Sequence, residues 1–224
     1  LFQRLSQEAI TWMRLSHPNV VPLVGFTITP LPSLISPWYE QGNIRSYLSQ
    51  HNQVNRLKLI YDVARGLEHL HFQTPSIAHG DIKPENILIN ERGDALVSDF
   101  GLATVLGDER WYTASHHGGG SYRYTAPEFL LGQQDSRTCN GDVYSFASLA
   151  FEILTGHLPH SAIKIDIQIC IRLGNSKGPN YPIDEWSEYP ELAPVEDILR
   201  QCWSRSPEDR PSMKKVVERL SELM

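Results

Sequence analysis

The segment from His79 to Asn86 constrains this chain more than any other stretch. It places an acid, a base and an amide, Asp81, Lys83 and Asn86, directly before the apolar run Ile87–Ile89. The apolar run predicts a strand, so the polar residues before it belong to a loop. If that loop is extended, Asp81 and Lys83 point to the same side, because side chains alternate along extended backbone. The pattern therefore predicts a carboxylate and an ammonium group that face one site.

A second polar pattern follows the first at close range. The triplet Asp99-Phe100-Gly101 comes after another apolar run, Ala95–Val97, and the turn residues between the two runs predict a β-hairpin. Asn86 offers an amide oxygen and Asp99 a carboxylate, which are ligand types that Mg²⁺ accepts when it also holds phosphates. A lone Asp-x-Lys pair is more often a surface ion pair. Here Asn86 and Asp99 follow the Asp81–Lys83 pair at the spacing that a functional site requires, which favours the functional interpretation.

Together with Ala126-Pro127-Glu128, these patterns resemble the catalytic loop, the metal-binding triplet and the activation-segment end of the protein kinase family. The resemblance implies phosphoryl transfer from ATP, in which the protein supplies positioning and charge more than covalent chemistry. It implies that Asp81 accepts or orients the proton of the substrate hydroxyl and that Lys83 reaches the transferred phosphate. Asn86 and Asp99 are then the Mg²⁺ ligands.

The resemblance also implies a nucleotide site. Glu8, in an amphipathic helical pattern, stands where the family has its ion-pairing glutamate. Alignment of Gly42 with the hinge glycine places the backbone carbonyl of Pro37 and the backbone N–H of Tyr39 against the adenine. Proline fits there because only its carbonyl is used. Leu88 would form the floor under the adenine. Glu8 as the solvated face of a helix and Leu88 as a plain core residue are the alternatives.

The chain of 224 residues is expected to form one incomplete protein kinase domain, residues 1–224, of the α+β class. Residues 1–39 would be the remainder of a small lobe with its hinge strand, and residues 40–224 a mainly helical large lobe. The small lobe is incomplete by comparison with the family, because the first three strands, the glycine-rich loop and the lysine partner of Glu8 have no counterpart. The periodicity predicts helices at Leu1–Leu15, Ile44–Leu48, Asn55–Phe72, Gly141–Thr155, Ile163–Leu173, Val195–Trp203 and Ser212–Leu223. Strands are predicted at Val20–Ile28 and Ser33–Tyr39.

Two charged positions have predicted structural roles. An acid at the start of an almost wholly apolar helix, Asp142, is costly unless it accepts hydrogen bonds, and the resemblance implies that it holds the backbone of the catalytic loop. Arg210 matches the arginine that pairs with Glu128.

The first helix would lack the sheet that covers its apolar stripe, so Leu5 and Trp12 are expected to be partly exposed.

The composition of the chain limits the kinds of partner that it is expected to bind. A net charge of −6 argues against nucleic acid or an anionic membrane as the main partner. No apolar run approaches the ~20 residues needed to span a bilayer. The three cysteines are odd in number and far apart, which fits a reducing compartment. We therefore expect a cytoplasmic location, no membrane contact by this segment, and ATP and a protein substrate as partners.

The resemblance has finer detail. Lys83-Pro84-Glu85-Asn86 is similar to serine/threonine kinases, and Cys202-Trp203 to the tyrosine-kinase-like group among them. The resemblance implies an ATP- and Mg²⁺-dependent protein serine/threonine kinase, with the segment alone inactive. The alternative is a pseudokinase or scaffold that binds partners without phosphotransfer. The absent lysine favours it, as does Gly80, where most active kinases carry arginine. The intact catalytic and metal-binding set argues against it.

Overall fold

The computed structural model describes residues 8–100, 103–105, 121–175, 181–183 and 186–224. This part of the chain is α+β, as predicted, with short strands and with most of its helices after residue 40. The helices are α1 (residues 8–12), α2 (Ile44–Gln50), α3 (Arg56–His71), α4 (Pro127–Leu130), α5 (Cys139–Thr155), α6 (Ile167–Asn175), α7 (Glu196–Cys202) and α8 (Met213–Ser221). The strands are β1 (Gly25–Thr27), β2 (Ser33–Ile35), β3 (Ile77–Ala78), β4 (Ile87–Ile89), β5 (Ala95–Val97) and β6 (Thr104–Val105). The division into two lobes at residue 39 stays a prediction.

The described strands pair two by two. β1 pairs with β2, β3 with β6 and β4 with β5, all antiparallel. The β4–β5 hairpin confirms the predicted connection, and its register places Ile87 opposite Val97. Isolated bridges join Val20 to Val97 and Asn43 to Leu88. The hairpin therefore links the segment before α2 to the polar loop that precedes β4.

The helix α3 is the centre of the packing. Its N-cap residue Asn55 accepts a hydrogen bond from the backbone N–H of Lys58 (3.0 Å), which satisfies one of the free donors of the first turn. One stripe of α3 is buried and packs against α5, α8 and β5. Gly66 lies on that stripe, and a Cβ there would come within 2.5 Å of the carbonyl oxygen of Asn19. Only glycine allows this approach of the backbone of residue 19.

The helix α5 is buried on nearly every side, as its nearly all-apolar sequence predicts. Thr138 caps it by accepting a hydrogen bond from the N–H of Gly141 (3.1 Å). The helix ends at Gly156, whose φ of 77° is the left-handed conformation that glycine adopts at low cost. Among its buried residues is Asp142, which is 1% exposed. An acid is thus fixed inside the core at the start of the most enclosed helix.

Several predicted boundaries were too generous. The predicted strands Val20–Ile28 and Ser33–Tyr39 shrink to β1 and β2, since Pro22 and Pro37 have no N–H to donate to a ladder. The helix predicted from Ile163 begins at Ile167. The carbonyl of Ile163 accepts a hydrogen bond from the Arg123 guanidinium (2.8 Å) and so takes part in a side-chain contact instead.

The prediction that Trp12 would be partly exposed was wrong. Trp12 is 7% exposed, and its indole N–H donates to the carbonyl of Val21 at 2.5 Å. Its ring packs against Phe100, with the ring centroids 5.3 Å apart. The tryptophan of α1 therefore packs on residues of the site region and needs no further sheet to cover it. Leu5 lies outside the described residues.

The predicted pair between Arg210 and Glu128 is confirmed. The guanidinium donates to both carboxylate oxygens, at 2.7 and 2.8 Å, and the two side chains are 0% and 7% exposed. Two backbone carbonyls, of Ser204 and Asn140, accept further hydrogen bonds from it. The charges are thus buried and fully engaged.

We expect Arg210→Met to lower the free energy of unfolding by about 3–5 kcal/mol, because Glu128 would remain buried without its partner. Removing both charges, with Arg210→Met and Glu128→Gln together, should recover part of that loss. Urea denaturation of the single and double variants measures both changes. A double variant no more stable than Arg210→Met alone would contradict this account.

Candidate active site

The structure brings Asp81, Lys83 and Asn86 together. The ammonium of Lys83 lies 2.5 Å from the carboxylate of Asp81. The side-chain amide of Asn86 donates to the backbone carbonyl of Asp81 (2.8 Å) and to its carboxylate (3.1 Å). The two charged side chains are mostly buried, at 14% and 22% exposed. The loop therefore presents an acid whose position is fixed by a cation and an amide.

The β4–β5 hairpin places the two predicted metal ligands near each other. Asn86 directly precedes β4 and Ser98 directly follows β5, and both the N–H and the hydroxyl of Ser98 donate to the carbonyl of Asn86 (2.9 Å each). Asp99 is the next residue and is exposed, whereas Ser98 and Phe100 on either side are buried. The register of the hairpin thus holds Asp99 beside the loop of Asn86.

The backbone and donor set at this position fit a magnesium ion that also holds phosphates. Asp99 has a φ of 63°, a conformation that non-glycine residues seldom adopt and that is often found at functional sites. The hydrogen bonds of Asn86 described above use its NH₂ group, which leaves the amide oxygen as a ligand. The described residues contain no cluster of three or more His, Cys, Asp or Glu side chains that could hold a metal unaided. Mg²⁺ commonly takes one or two carboxylates and completes its shell with water and phosphate oxygens.

His79 is fully buried and joins the loop to the residues after β5. Its Nδ1 accepts from the N–H of Asp81 (3.2 Å), so its Nε2 carries the proton donated to the carbonyl of Ser98 (2.9 Å). Its ring also packs against Phe100 (5.5 Å between centroids). His79 stands at the start of the sequence motif, which predicts no role for it. The structure makes it the link between the Asp81 loop and Asp99.

Asp142 holds the backbone of the Asp81 loop, as predicted. Its carboxylate accepts hydrogen bonds from the N–H groups of His79 (2.7 Å) and Gly80 (2.8 Å). Gly80 has a φ of 81°, which glycine adopts with little strain. A third bond joins the same carboxylate to Nε2 of His71 (2.9 Å). The sequence prediction missed His71, because nothing local connects α3 to the start of α5.

The ionisation of His71 depends on this contact. Burial by itself would lower the pKa of His71, but hydrogen bonds and charge interactions with Asp142 and Cys139 outweigh it and raise the pKa to about 9. At neutral pH the imidazole is therefore an imidazolium paired with a buried carboxylate. The positive charge of His71 therefore balances the negative charge of Asp142, whose carboxylate holds the loop.

The pKa of His71 leads us to expect an alkaline loss of stability. A pKa raised from 6.5 to about 9 in the folded state means that the extra stabilisation is complete below about pH 6.5 and is lost as pH rises through about 9. The full contribution is about 3 kcal/mol. We expect the free energy of unfolding to fall between about pH 6.5 and about pH 9 by more in the wild type than in His71→Gln, which cannot titrate. Equal pH dependence in both proteins would show that His71 is not the titrating group.

The predicted adenine contacts lie in one region. Pro37 and Tyr39 follow β2, and the carbonyl of Tyr39 accepts from the N–H of Gly42 (3.0 Å), whose φ is 66°. Gly42 in turn accepts from the N–H of Ile89 (3.0 Å), and the bridge between Asn43 and Leu88 runs alongside. Leu88 is half-buried and packs against the core, so both of its proposed uses remain compatible. The segment after β2 is thus joined to the strand that leaves the Asp81 loop.

Two other features stand apart from the polar loop. Glu8 is half-buried at the start of the described part of α1. A cavity of about 400 Å³ has Tyr39, Leu15, His17 and Leu96 in its walls, but none of the polar residues of the Asp81 loop. The cavity therefore borders Tyr39 without including the charged site.

Comparison with known proteins agrees with the geometry. The family model described as "Protein tyrosine and serine/threonine kinase" matches residues 2–220. The chain is 30% identical to serine/threonine-protein kinase STY17 of Arabidopsis thaliana, over 100% of this chain and 38% of that protein. It is 29% identical to human receptor-interacting serine/threonine-protein kinase 3, over 92% of this chain and 40% of that protein. It is 30% identical to serine/threonine/tyrosine-protein kinase HT1 of Arabidopsis thaliana, over 97% of this chain and 54% of that protein.

The chain thus spans between about two fifths and about half of those three relatives. Among the described residues, no helix has both the length and the apolar character needed to cross a membrane. The match over residues 2–220 covers nearly the whole sequence and includes every element of the site. The chain therefore belongs to the protein tyrosine and serine/threonine kinase family.

Proposed function

We propose that the protein is an ATP-dependent protein serine/threonine kinase that transfers the γ-phosphoryl group of ATP to hydroxyl groups of a protein substrate. The observation that supports it most is the single hydrogen-bonded unit of Asp81, Lys83 and Asn86, held beside Asp99 by the β4–β5 hairpin. A carboxylate, a cation and oxygen ligands for a metal are what phosphoryl transfer requires from a protein.

Asp81 accepts the hydrogen bond of the substrate hydroxyl and orients its oxygen for attack. Its own position is fixed by Lys83 and by the amide of Asn86. Lys83 places a positive charge where negative charge develops on the transferred group, which is the largest kind of stabilisation that such a site offers. The low exposure of both side chains strengthens these interactions, because they are screened less than in water.

Asn86 and Asp99 are the residues proposed to hold Mg²⁺, which when bound would neutralise charge on the phosphates of ATP. The carbonyl of Pro37 and the N–H of Tyr39 would meet the adenine, and Leu88 would lie beneath it. We propose Glu8 for the ion pair with a lysine that positions the phosphates. All of these groups come from segments joined through Gly42, Ile89 and the β4–β5 hairpin, apart from Glu8 on α1.

Substrate and location follow from composition and relatives. The relatives compared above carry serine/threonine kinase in their names, and HT1 carries tyrosine as well. We propose serine/threonine specificity on that basis and on Lys83-Pro84-Glu85-Asn86. The net charge of −6 supports a protein rather than a nucleic acid as partner. We propose a cytoplasmic location because the three cysteines are free thiols, which fits a reducing compartment.

A second candidate is a scaffold without phosphotransfer, and Gly80 is the observation that favours it. A glycine there provides no charge to pair with a phosphorylated loop. The hydrogen-bonded unit around Asp81 supports the kinase over the scaffold, since a scaffold has no need of it.

We expect Asp81→Asn in the full-length protein to reduce phosphotransfer by at least about 100-fold, as is typical for the loss of a general base. The affinity for ATP should change little, because the amide keeps the shape of the loop. Incorporation of phosphate into a serine/threonine substrate measures the rate. Asp197→Asn, on an exposed carboxylate of α7, is the matched control and should keep wild-type activity. Wild-type turnover by Asp81→Asn would show that the role belongs to another residue, whereas no turnover by the wild type would favour the scaffold.

We expect Asp99→Ala to abolish the magnesium-dependent part of ATP affinity, because the ion loses its charged protein ligand. Titration of the full-length protein with ATP, with and without Mg²⁺, measures that increment. The same increment in wild type and variant would show that the metal is held elsewhere.

A further inference from the structure

Arg45 of α2 binds two carboxylates beside the Asp81 loop, and none of the roles above uses it. Its Nε donates to the carboxylate of Glu152 on α5 (2.8 Å), and one terminal nitrogen pairs with the carboxylate of Glu85. The other terminal nitrogen donates to the hydroxyl of Tyr124 (2.9 Å), which in turn donates to Glu152. All three nitrogens of the guanidinium are therefore engaged.

The four side chains of this Arg45 cluster (Arg45, Glu85, Glu152 and Tyr124) include two carboxylates and one cation. Burial, followed by the adjacent carboxylate of Glu152, raises the pKa of Tyr124, so its hydroxyl stays neutral. Burial by itself would lower the pKa of Arg45, but the hydrogen bond to Glu152 and the neighbouring charges outweigh it and raise the pKa. Without the guanidinium, two negative charges would therefore lie side by side.

The Arg45 cluster is open to solvent close to the proposed catalytic carboxylate. The side chains of Arg45 and Glu85 are 44% and 46% exposed, whereas that of Glu152 is 10% exposed. Glu85 directly precedes Asn86, whose amide donates to the carboxylate of Asp81 (3.1 Å). The exposed side of the cluster thus lies a short distance along the loop from the group that is proposed to orient the substrate hydroxyl.

A substrate segment can reach this exposed side. Four residues of extended chain span at most about 14 Å, so the backbone of Glu85 lies within that distance of Asp81. An extended substrate segment advances about 3.3 Å per residue. Residues within about four positions of the phosphorylated hydroxyl can therefore come near the carboxylates of Glu85 and Glu152.

The contact between Arg45 and Glu85 adds little to the stability of the fold. Both side chains are nearly half exposed, and ion pairs between exposed groups are weak because water and salt screen them. Two carboxylates without the guanidinium would attract a cationic side chain of a bound peptide. This contact therefore matters more for what binds beside Asp81 than for stability.

We propose that Arg45 is a specificity-determining residue: its guanidinium occupies the position between Glu85 and Glu152 that a basic side chain of the substrate would otherwise take. The inference rests on the proposed kinase function and narrows its substrate class. Substrates with an uncharged residue near the hydroxyl are accepted as well as those with arginine, because both carboxylates are already engaged. Removal of the guanidinium exchanges a repulsive group for an attractive site and turns the enzyme toward basic substrates.

The test uses serine peptides in which arginine, or glutamine as its uncharged counterpart, is placed in turn at each of the four positions on either side of the serine. For the full-length wild type we expect kcat/KM to differ by less than about 3-fold between counterparts. In Arg45→Met we expect at least one arginine peptide to be favoured by about 10-fold. The gain should lie in KM, because the uncovered carboxylates bind the peptide without touching the reacting atoms.

Three variants separate charge from packing. Arg45→Lys keeps a cation between the carboxylates and should retain the wild-type ratio, whereas Glu85→Gln added to Arg45→Met should remove most of the gained preference. Arg56→Met is the matched control, since Arg56 also contacts α5 but donates to the backbone carbonyl of Ile153 (2.7 Å). It should leave the ratio unchanged. If Arg45→Met does not fold, Arg45→Gln replaces it in the same comparison.

The outcomes distinguish this inference from the proposed function. An active Arg45→Met with the wild-type ratio would overturn the inference, as would an equal loss for arginine and glutamine peptides, because the guanidinium would then only hold the loop. A wild type that already favours arginine by about 10-fold would also contradict it. A wild type that phosphorylates no peptide would contradict the kinase function instead. Fluorescence anisotropy of the labelled peptides then decides, and equal affinity of Arg45→Met for the arginine and glutamine forms would overturn the inference.

Discussion

The carboxylate of Asp142 is the contact on which the site depends. It is 1% exposed and accepts hydrogen bonds from two consecutive N–H groups of the loop, at His79 and Gly80. A loop has no ladder of its own, so buried N–H groups need such an acceptor. Because α5 is packed on nearly every side, its first turn cannot move without disturbing the core. The most rigid element of the fold therefore sets the position of the loop that carries Asp81.

The second constraint is the register of a short hairpin. Antiparallel pairing of Ile87 with Val97 places the residues just outside the two strands side by side. Asn86 precedes one strand and Asp99 comes after the other, so a one-residue slip would separate an amide oxygen from a carboxylate. Buried Ile87 and Val97, both 0% exposed, specify that register. The placement of the two proposed metal ligands thus follows from the packing of apolar residues beside them.

These two constraints explain what the sequence could predict. The roles of Asp142 and of the Arg210–Glu128 pair, and the hairpin itself, were predicted from motif resemblance and local pattern. The burial of Trp12 and the contact between His71 and Asp142 were not. Trp12 meets Phe100, and His71 meets a carboxylate 71 residues away, so neither contact leaves a periodic signal. The strand ends were also missed, because prolines inside apolar runs were given too little weight.

The buried acids of α5 connect the remaining parts of the molecule. Glu152, further along that helix, accepts hydrogen bonds from the Tyr124 hydroxyl and from Arg45 of α2 (2.8 Å). Arg45 also contacts Glu85 of the Asp81 loop and donates to the Tyr124 hydroxyl (2.9 Å). Burial, followed by the adjacent carboxylate of Glu152, raises the pKa of Tyr124, so it remains a neutral donor. A buried charge that loses one of its partners is costly. Such a network therefore favours the one arrangement of helix and loops in which all its partners meet, and its effect on specificity is larger than its effect on stability. The same helix therefore ties down both the loop that carries Asp81 and the segment that ends in Glu128.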